Sequence, residues 1–178
     1  MIIQESKITK IKLSQLDDLD PITIYIEDYE PGKGEITVKC YGQSWTAFWG
    51  GMSGMPIMEF FLSCNNEYLA NYLWDHRKSQ TEIDTVKLLQ LIRSKIIELR
   101  KEQRINSSLA RDLYDISDWE EYMPKHVYDC WYCPTGISQN EFDDFAGNYL
   151  EYLDMPECNS SEYTYLLRII SMIKCSFK

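Results

Sequence analysis

Alternating apolar and polar positions mark the first fifty residues of the chain. The alternation is clearest in residues 22–26 and 35–41, which are rich in β-branched and aromatic side chains, while the Pro-Gly-Lys-Gly sequence at 31–34 favours a turn. Residues 44–49 continue the pattern, and residues 7–13 could add an earlier strand. The pattern predicts a small antiparallel sheet of three to four strands. Because such a sheet usually has one packed face, we expect helices to cover it.

Apolar positions three and four residues apart predict these helices in the rest of the chain. One is expected to begin near Pro56, which suits a first helical turn, and a second to span residues 66–74. The longest is predicted over residues 79–103, where Ser79 and Glu82 have the spacing of a capping box. Its apolar stripe comprises Ile83, Val86, Leu89, Ile92, Ile96 and Leu99. Further helices are predicted over residues 106–116, 139–153 and 160–174, the last capped by Ser160 or Ser161.

These elements predict an α+β fold in a single domain over residues 1–178. A small N-terminal antiparallel sheet in residues 1–50 would pack against a mainly helical part in residues 56–178. The chain has no repeat, low-complexity tract or Pro/Ser-rich linker that would mark a domain boundary. Residues 117–158 are rich in Trp, Tyr and Phe, which indicates compact loops rather than a disordered linker.

Charge is distributed unevenly along the chain. The formal net charge is −10, yet residues 112–162 alone hold 13 acidic residues and one basic residue, Lys125. A basic stretch precedes them in residues 77–111. Two interpretations stay open: the basic helix and the acidic segment pair with each other, or the acidic and aromatic residues form a docking surface for a basic partner. For docking, the best candidates are Asp118, Trp119, Glu120, Glu121, Asp143 and Asp144.

The most metal-like pattern in the sequence is formed by His126, Cys130 and Cys133. Their spacing could supply part of a tetrahedral zinc site, with Cys158 or His76 as a fourth ligand. No second Cys pair accompanies it, so we favour buried structural thiols and expect no bound metal or cofactor. The six cysteines are scattered, which suits a reducing compartment.

Catalytic patterns are sparse. The Gly-rich residues 50–54 lie between a predicted strand and a predicted helix, where backbone N–H groups can hold a phosphate, but the P-loop Lys-Ser/Thr pair is missing. His76 and His126 are the two histidines, and no GxSxG sequence accompanies them. The adjacent carboxylates at 120–121 and 143–144 point to different faces of a regular element. We therefore expect a non-enzymatic protein, with a small metal- or phosphate-ligand-dependent enzyme as the alternative.

The acidic composition also limits the partners. A sequence pI near 4.7 disfavours nucleic acids and anionic membranes, although direct DNA binding through residues 93–111 is a third possibility. The chain has neither a signal-peptide pattern nor a run of 18 apolar residues, so we expect a cytoplasmic protein. The oligomeric state is left open.

Four stretches of the chain carry a resemblance to known proteins: ITKIKLSQL at 8–16, EPGKG at 30–34, CYGQSW at 40–45 and FWGGMSG at 48–54. They resemble a group of small proteins from lambdoid phages and prophages of enterobacteria. The likeness covers mainly residues 8–70, and more loosely residues 166–174. It implies a phage accessory protein in a bacterial host cell and carries no catalytic residues. Since small acidic phage proteins often disable or redirect a host protein, the resemblance favours a partner such as a nucleic-acid-handling or defence factor with a basic surface.

Overall fold

The computed structural model describes residues 5–125 and 129–177 and divides into two compact units. Unit 1 comprises Met1–Gln80 and Asn159–Lys178, and unit 2 comprises Thr81–Cys158. Each unit has its own cluster of buried hydrophobic residues. An N-terminal antiparallel sheet followed by helices confirms the predicted α+β class. The single domain over residues 1–178 remains a prediction about cooperative folding.

The sheet of unit 1 is a four-stranded antiparallel meander. Its strands are β1 (Thr9–Leu13), β2 (Ile22–Glu30), β3 (Lys33–Cys40) and β4 (Gln43–Trp49), in the order β1-β2-β3-β4. Alternate residues of β2 and β3 are buried, and Ile24 lies opposite Val38 in the register. This sheet confirms the predicted hairpins and the additional first strand. The sequence could predict them because side chains alternate between the two faces of a strand, so the period-2 pattern turns one face of the sheet toward the core.

Three helices complete the described part of unit 1. They are α1 (Ile57–Ser63), α2 (Asn66–Leu73) and, from the far end of the chain, α6 (Ser161–Ser176). Pro56 stands at the N-cap of α1, one residue before the helix rather than in its first turn. The side chain of Asn65 caps α2, and that of Ser160 caps α6. Leu166, Ile169, Ile170 and Ile173 of α6 are buried, as the sequence predicted.

Unit 2 is mainly helical. It contains β5 (Thr81–Ile83), α3 (Thr85–Lys101), α4 (Ser107–Tyr114), a 3₁₀ turn (Glu120–Tyr122), α5 (Gln139–Phe145) and a π-helical turn (Ala146–Leu150). β5 pairs with a second short strand, β6 (Glu157–Asn159). The predicted helix over 139–153 is present as α5 and the π-helical turn. Among the described residues, no helix is long and apolar enough to span a membrane.

The predicted start of the long helix at Ser79 is wrong. The helix α3 begins at Thr85, because Asp84 occupies the N-cap and its carboxylate accepts a hydrogen bond from the backbone N–H of Lys87 at 3.0 Å. Residues 81–83 form β5 instead, so Ile83 lies outside the helix and Val86 is 65% exposed. The residues of α3 that are buried in the core are Leu88, Ile92, Ile96 and Leu99. A local capping pattern was overruled by a strand pairing that the local sequence does not encode.

Candidate functional site

Trp119, the aromatic residue of the predicted docking surface, is a core residue of unit 2. It is 2% exposed, and its ring centroid lies 6.3 Å from those of Phe145 and Trp131. Its indole N–H has no hydrogen-bond acceptor among the described residues. The ring therefore anchors the 3₁₀ segment against α5 and is not available to contact a partner in this conformation.

The carboxylates beside Trp119 lie on the surface. Asp118, Glu120 and Glu121 are all exposed. Asp118 accepts a hydrogen bond from the backbone N–H of Glu120 at 3.1 Å, which holds the start of the 3₁₀ turn. Burial of the intervening ring fixes the backbone from which these three carboxylates project.

The second acidic pair lies on α5, and the helix positions both members on its exposed side. Asp143 and Asp144 are exposed, whereas Phe142 and Phe145 on either side of them are buried. The Gln139 side-chain amide donates a hydrogen bond to Asp143 at 2.8 Å, one helical turn away. Since Trp119 packs on Phe145, one hydrophobic cluster supports both acidic segments. We use the name acidic surface for the exposed carboxylates of these two segments, Asp118, Glu120, Glu121, Asp143 and Asp144.

The acidic surface is not neutralised by the basic stretch that precedes it. Among the described residues, the single ion pair between residues 77–111 and 112–162 is Lys78–Glu162, in unit 1. Basic side chains of α3 find local acids, as in the Lys95–Glu98 pair. The described carboxylates between residues 112 and 157 form no ion pair, so their charge is left to solvent or to a partner.

Aromatic faces also hold several of the basic side chains. The Arg93 guanidinium lies 4.8 Å from the ring centroid of Tyr114. The Tyr149 ring has two cations near it, with Lys95 Nζ at 5.6 Å and Arg104 Cζ at 5.3 Å from its centroid. Such cation–π contacts keep the positive charge while fixing the side chain.

A polar groove of about 460 Å³ adjoins the acidic surface in unit 2. Asp144 contributes to its wall, together with Glu141 and Arg104. The amide of Asn106 joins two of its elements, because Oδ1 accepts from the N–H of Leu109 at 2.9 Å and Nδ2 donates to Glu141 at 3.0 Å. The remaining lining residues are Ile105, Leu109, Phe145, Asn148 and Tyr149. Both charge signs line the groove, which suits a polar ligand or the side chain of a partner.

The sequence did not predict this groove. Its polar residues come from the N-terminus of α4, from α5 and from the π-helical turn that carries Asn148 and Tyr149. No spacing pattern links positions so far apart in sequence. The local signal that could have pointed to it is the Asn106 cap. The π-helical turn, a feature frequent at functional sites, is visible only in the structure.

The zinc hypothesis receives no support from the cysteines that the structure describes. Cys130 is exposed, and the half-buried Cys133 points its thiol at the carbonyl oxygens of Pro134 and Ile137, at 3.6 and 3.5 Å. Burial, with the nearby Asp143 carboxylate, raises the pKa of the Cys133 thiol, which opposes formation of the thiolate that zinc requires. His126 lies outside the described residues.

The Gly-rich residues 50–54 have a packing role in unit 1. The N–H of Met52 donates to the carbonyl of Gly32 at 2.8 Å, which ties this turn to the β2–β3 hairpin. A Cβ on Gly32 would lie 2.7 Å from the backbone N of Gly54. Beyond the turn, the N–H of Ile57 already donates to the carboxylate of Asp28 at 2.8 Å. An N–H group that could have held a phosphate at this helix start thus has an acidic partner within the chain.

Comparisons with known proteins give a family and no closer relative. No curated protein and no solved structure matches the chain. A family model described as "Phage family" (Phage_phiTE_072) matches residues 1–178, the full length of the sequence. The resemblance to phage proteins is therefore supported at the level of a phage family, and the finer link to lambdoid phages of enterobacteria stays a prediction. The chain belongs to this phage protein family.

Proposed function

We propose that this protein is a phage-encoded accessory protein that binds a host protein through the acidic surface of unit 2 and thereby inhibits or redirects it. The partner carries a basic surface, of the kind found on nucleic-acid-handling or defence proteins. The setting is the cytoplasm of an enterobacterial cell that harbours a lambdoid phage or prophage. Membership of a phage family supports the phage origin, and the site supports binding rather than catalysis.

The proposal rests on one observation, the exposed carboxylates of the acidic surface that have no ion-pair partner among the described residues. Carboxylates on a surface cost little free energy while water solvates them, and they gain most when a complementary cation replaces that water. Complementary charge mainly accelerates association and selects the partner. Because Trp119 anchors residues 118–121 to the hydrophobic cluster, the backbone of this segment is already ordered, and the entropy cost of ordering it on binding is small.

The test compares two variants with the same change in net charge. In the first, Glu120, Glu121 and Asp143 of the acidic surface are changed to Lys. In the matched control, three exposed acidic residues of unit 1 are changed to Lys, namely Glu5, Asp17 and Asp20. Each tagged full-length chain is incubated with an enterobacterial lysate, and captured proteins are identified by mass spectrometry. The captured protein is then purified, and its affinity for each variant is measured.

We expect the wild-type chain and the control variant to bind the same basic protein, and the acidic-surface variant to lose it. Affinity should fall between about 50 and 500 mM salt, because the Debye length shortens from about 14 Å to about 4 Å. Equal binding by the two variants would remove the acidic surface from the interaction. Binding that does not change with salt would contradict an electrostatic contact.

A further inference from the structure

An apolar groove of about 410 Å³ lies between α3 and α4 on the surface of unit 2. Ile96 and Ala110 form its buried floor. Ile97 and Tyr114 stand beside them and remain 43% and 40% exposed. Large apolar side chains left exposed next to a groove mark a surface that another molecule can cover.

Three cations edge the groove. Arg100, Lys101 and Arg111 are exposed, and within the described part of the chain none of them forms an ion pair. The acid that lines the same groove is Asp115, so the local charge is positive in a chain whose net charge is −10. Each cation stands in the last turn of its helix, where it also complements the helix dipole.

Tyr114 is held in place by Arg93. Arg93 donates a hydrogen bond to the carbonyl oxygen of Tyr114 at 3.1 Å and stacks its guanidinium on the ring. The aromatic wall of the groove is therefore fixed before any ligand arrives, which lowers the ordering cost of binding.

We propose that this groove binds an acidic amphipathic helix of a partner protein. The apolar side chains of that helix fill the space over Ile96, Ile97 and Ala110, and its carboxylates face Arg100, Lys101 and Arg111. This is helix-in-groove recognition, in which the apolar face of an amphipathic helix lies in a hydrophobic groove, and the cations at the edge of this groove select an acidic helix. Nucleic acid fits less well, because its phosphates gain nothing from the apolar floor formed by Ile96 and Ala110.

The groove is distinct from the acidic surface of the proposed function, and its partner has the opposite charge. Unit 2 thus presents one surface for a basic protein and another for an acidic helix. Neither proposal depends on the other, since the variants that test them change different side chains.

The test uses a designed peptide and the full-length chain. The probe is a fluorescein-labelled peptide of about 18 residues with leucines at i, i+3, i+4 and i+7 spacing and glutamates on its other positions, so that it presents an apolar face when it folds as a helix on the groove. One control peptide has the same composition in scrambled order, and another carries lysines in place of the glutamates. Single-stranded and duplex DNA oligonucleotides complete the set. Binding is followed by fluorescence anisotropy.

The groove variants are Ile97→Ser, which removes apolar contact, and the triple charge reversal of Arg100, Lys101 and Arg111 to Glu. The matched control reverses three exposed lysines of unit 1, namely Lys7, Lys12 and Lys39. Circular dichroism checks that each variant is folded. We expect the acidic amphipathic peptide to bind the wild-type chain at least about tenfold more tightly than either control peptide, and each groove variant to weaken it by about tenfold or more.

Four results would overturn the proposal. The probe could fail to show saturable binding. The scrambled peptide could bind as tightly as the probe, which would mean that charge alone drives the interaction. DNA could bind more tightly than the peptide, and the triple reversal could abolish that DNA binding. The three cations would then be a phosphate-binding site rather than the edge of a helix-binding groove. Sedimentation could show a dimer that the triple reversal dissociates, which would make a second copy of the chain the occupant.

Discussion

Replacing Trp119 by Ala separates a structural role of this residue from a role in partner binding. The indole is 2% exposed and packs against Tyr122, Trp131 and Phe145 in the cluster of unit 2. Truncation leaves a cavity at the centre of that cluster, because the surrounding aromatic rings cannot collapse into it completely.

The expected loss of stability is large relative to the free energy of unfolding of a unit of this size. A buried Trp removes about 150–250 Å² from water, which at about 25 cal/mol per Å² corresponds to about 4–6 kcal/mol as an upper bound. Measured truncations of this kind cost about 3–5 kcal/mol. A domain of the size of unit 2 unfolds with a free energy of about 4–12 kcal/mol, so the substitution removes much of it. Trp119→Phe should stay within about 1 kcal/mol of the wild type, since it also removes an indole N–H that lacks an acceptor among the described residues.

Urea denaturation followed by circular dichroism and Trp fluorescence measures these differences. Glu120→Lys is the matched control, because this neighbouring side chain is exposed and its change should leave the free energy of unfolding within about 0.5 kcal/mol. If Trp119→Ala kept wild-type stability and a soluble quencher reached Trp119 in the folded protein, the placement of this ring in the core would be wrong. In that case the residue would return to the docking surface.

Three further outcomes are expected. Gly32→Ala should destabilise unit 1 more than Gly42→Ala in thermal melts, because both positions have a left-handed φ, which costs about 1–2 kcal/mol, but only the new Cβ at Gly32 meets a backbone atom. Equal losses of stability in the two variants would contradict the close approach of Gly32 to the backbone of Gly54. Tyr165→Phe should remove a late-ionising phenol from the ultraviolet titration, because the pKa of Tyr165 is raised to about 12, chiefly by its hydrogen bond with Cys40; a titration curve unchanged above pH 11 would refute this. Asp84→Ala should lower the melting temperature of unit 2 at neutral pH, and the difference from the wild type should shrink as the pH falls through the lowered pKa of this carboxyl, where the wild type loses the same contact.

The pH effects of Tyr165 and Asp84 have opposite signs for a physical reason. The raised phenol pKa means that the folded state holds this proton more tightly than the unfolded state, so its contribution is present below about pH 10 and is lost as the pH rises toward 12. The lowered pKa of Asp84 arises mainly from the hydrogen bond donated by the N–H of Lys87. Its contribution is present above the unfolded pKa and is lost as the pH falls through the folded value.

The cooperativity of unfolding shows whether the two units behave as one domain or as two. Calorimetry on the full chain, with Trp119→Ala as a perturbation confined to unit 2, measures this directly. One transition that shifts as a whole in the variant would support the single domain predicted from the sequence. Two transitions, of which only one shifts, would show that each hydrophobic cluster supports its own domain.

Local patterns in the sequence determined the sheet and most helices. The period-2 alternation in β2 and β3 specifies which side chains are buried, and the Ser160 cap with the buried stripe of α6 specifies that helix. The segregation of acidic residues into residues 112–162 is likewise a property of the sequence alone. Such features could be predicted because each depends on neighbours a few positions away.

Tertiary contacts decided what the local patterns could not. The acidic and aromatic composition of residues 112–162 led to the prediction that Trp119 contacts a partner. Packing against Phe145, 26 positions further along the chain, buries it instead. The start of α3 moved to Thr85 because residues 81–83 pair with a strand more than 70 positions away. The two grooves of unit 2 likewise exist only where helices meet. Burial and pairing depend on contacts between distant residues. Truncating one buried ring costs about 3–5 kcal/mol, which is more than the ~1 kcal/mol that a local helix cap contributes.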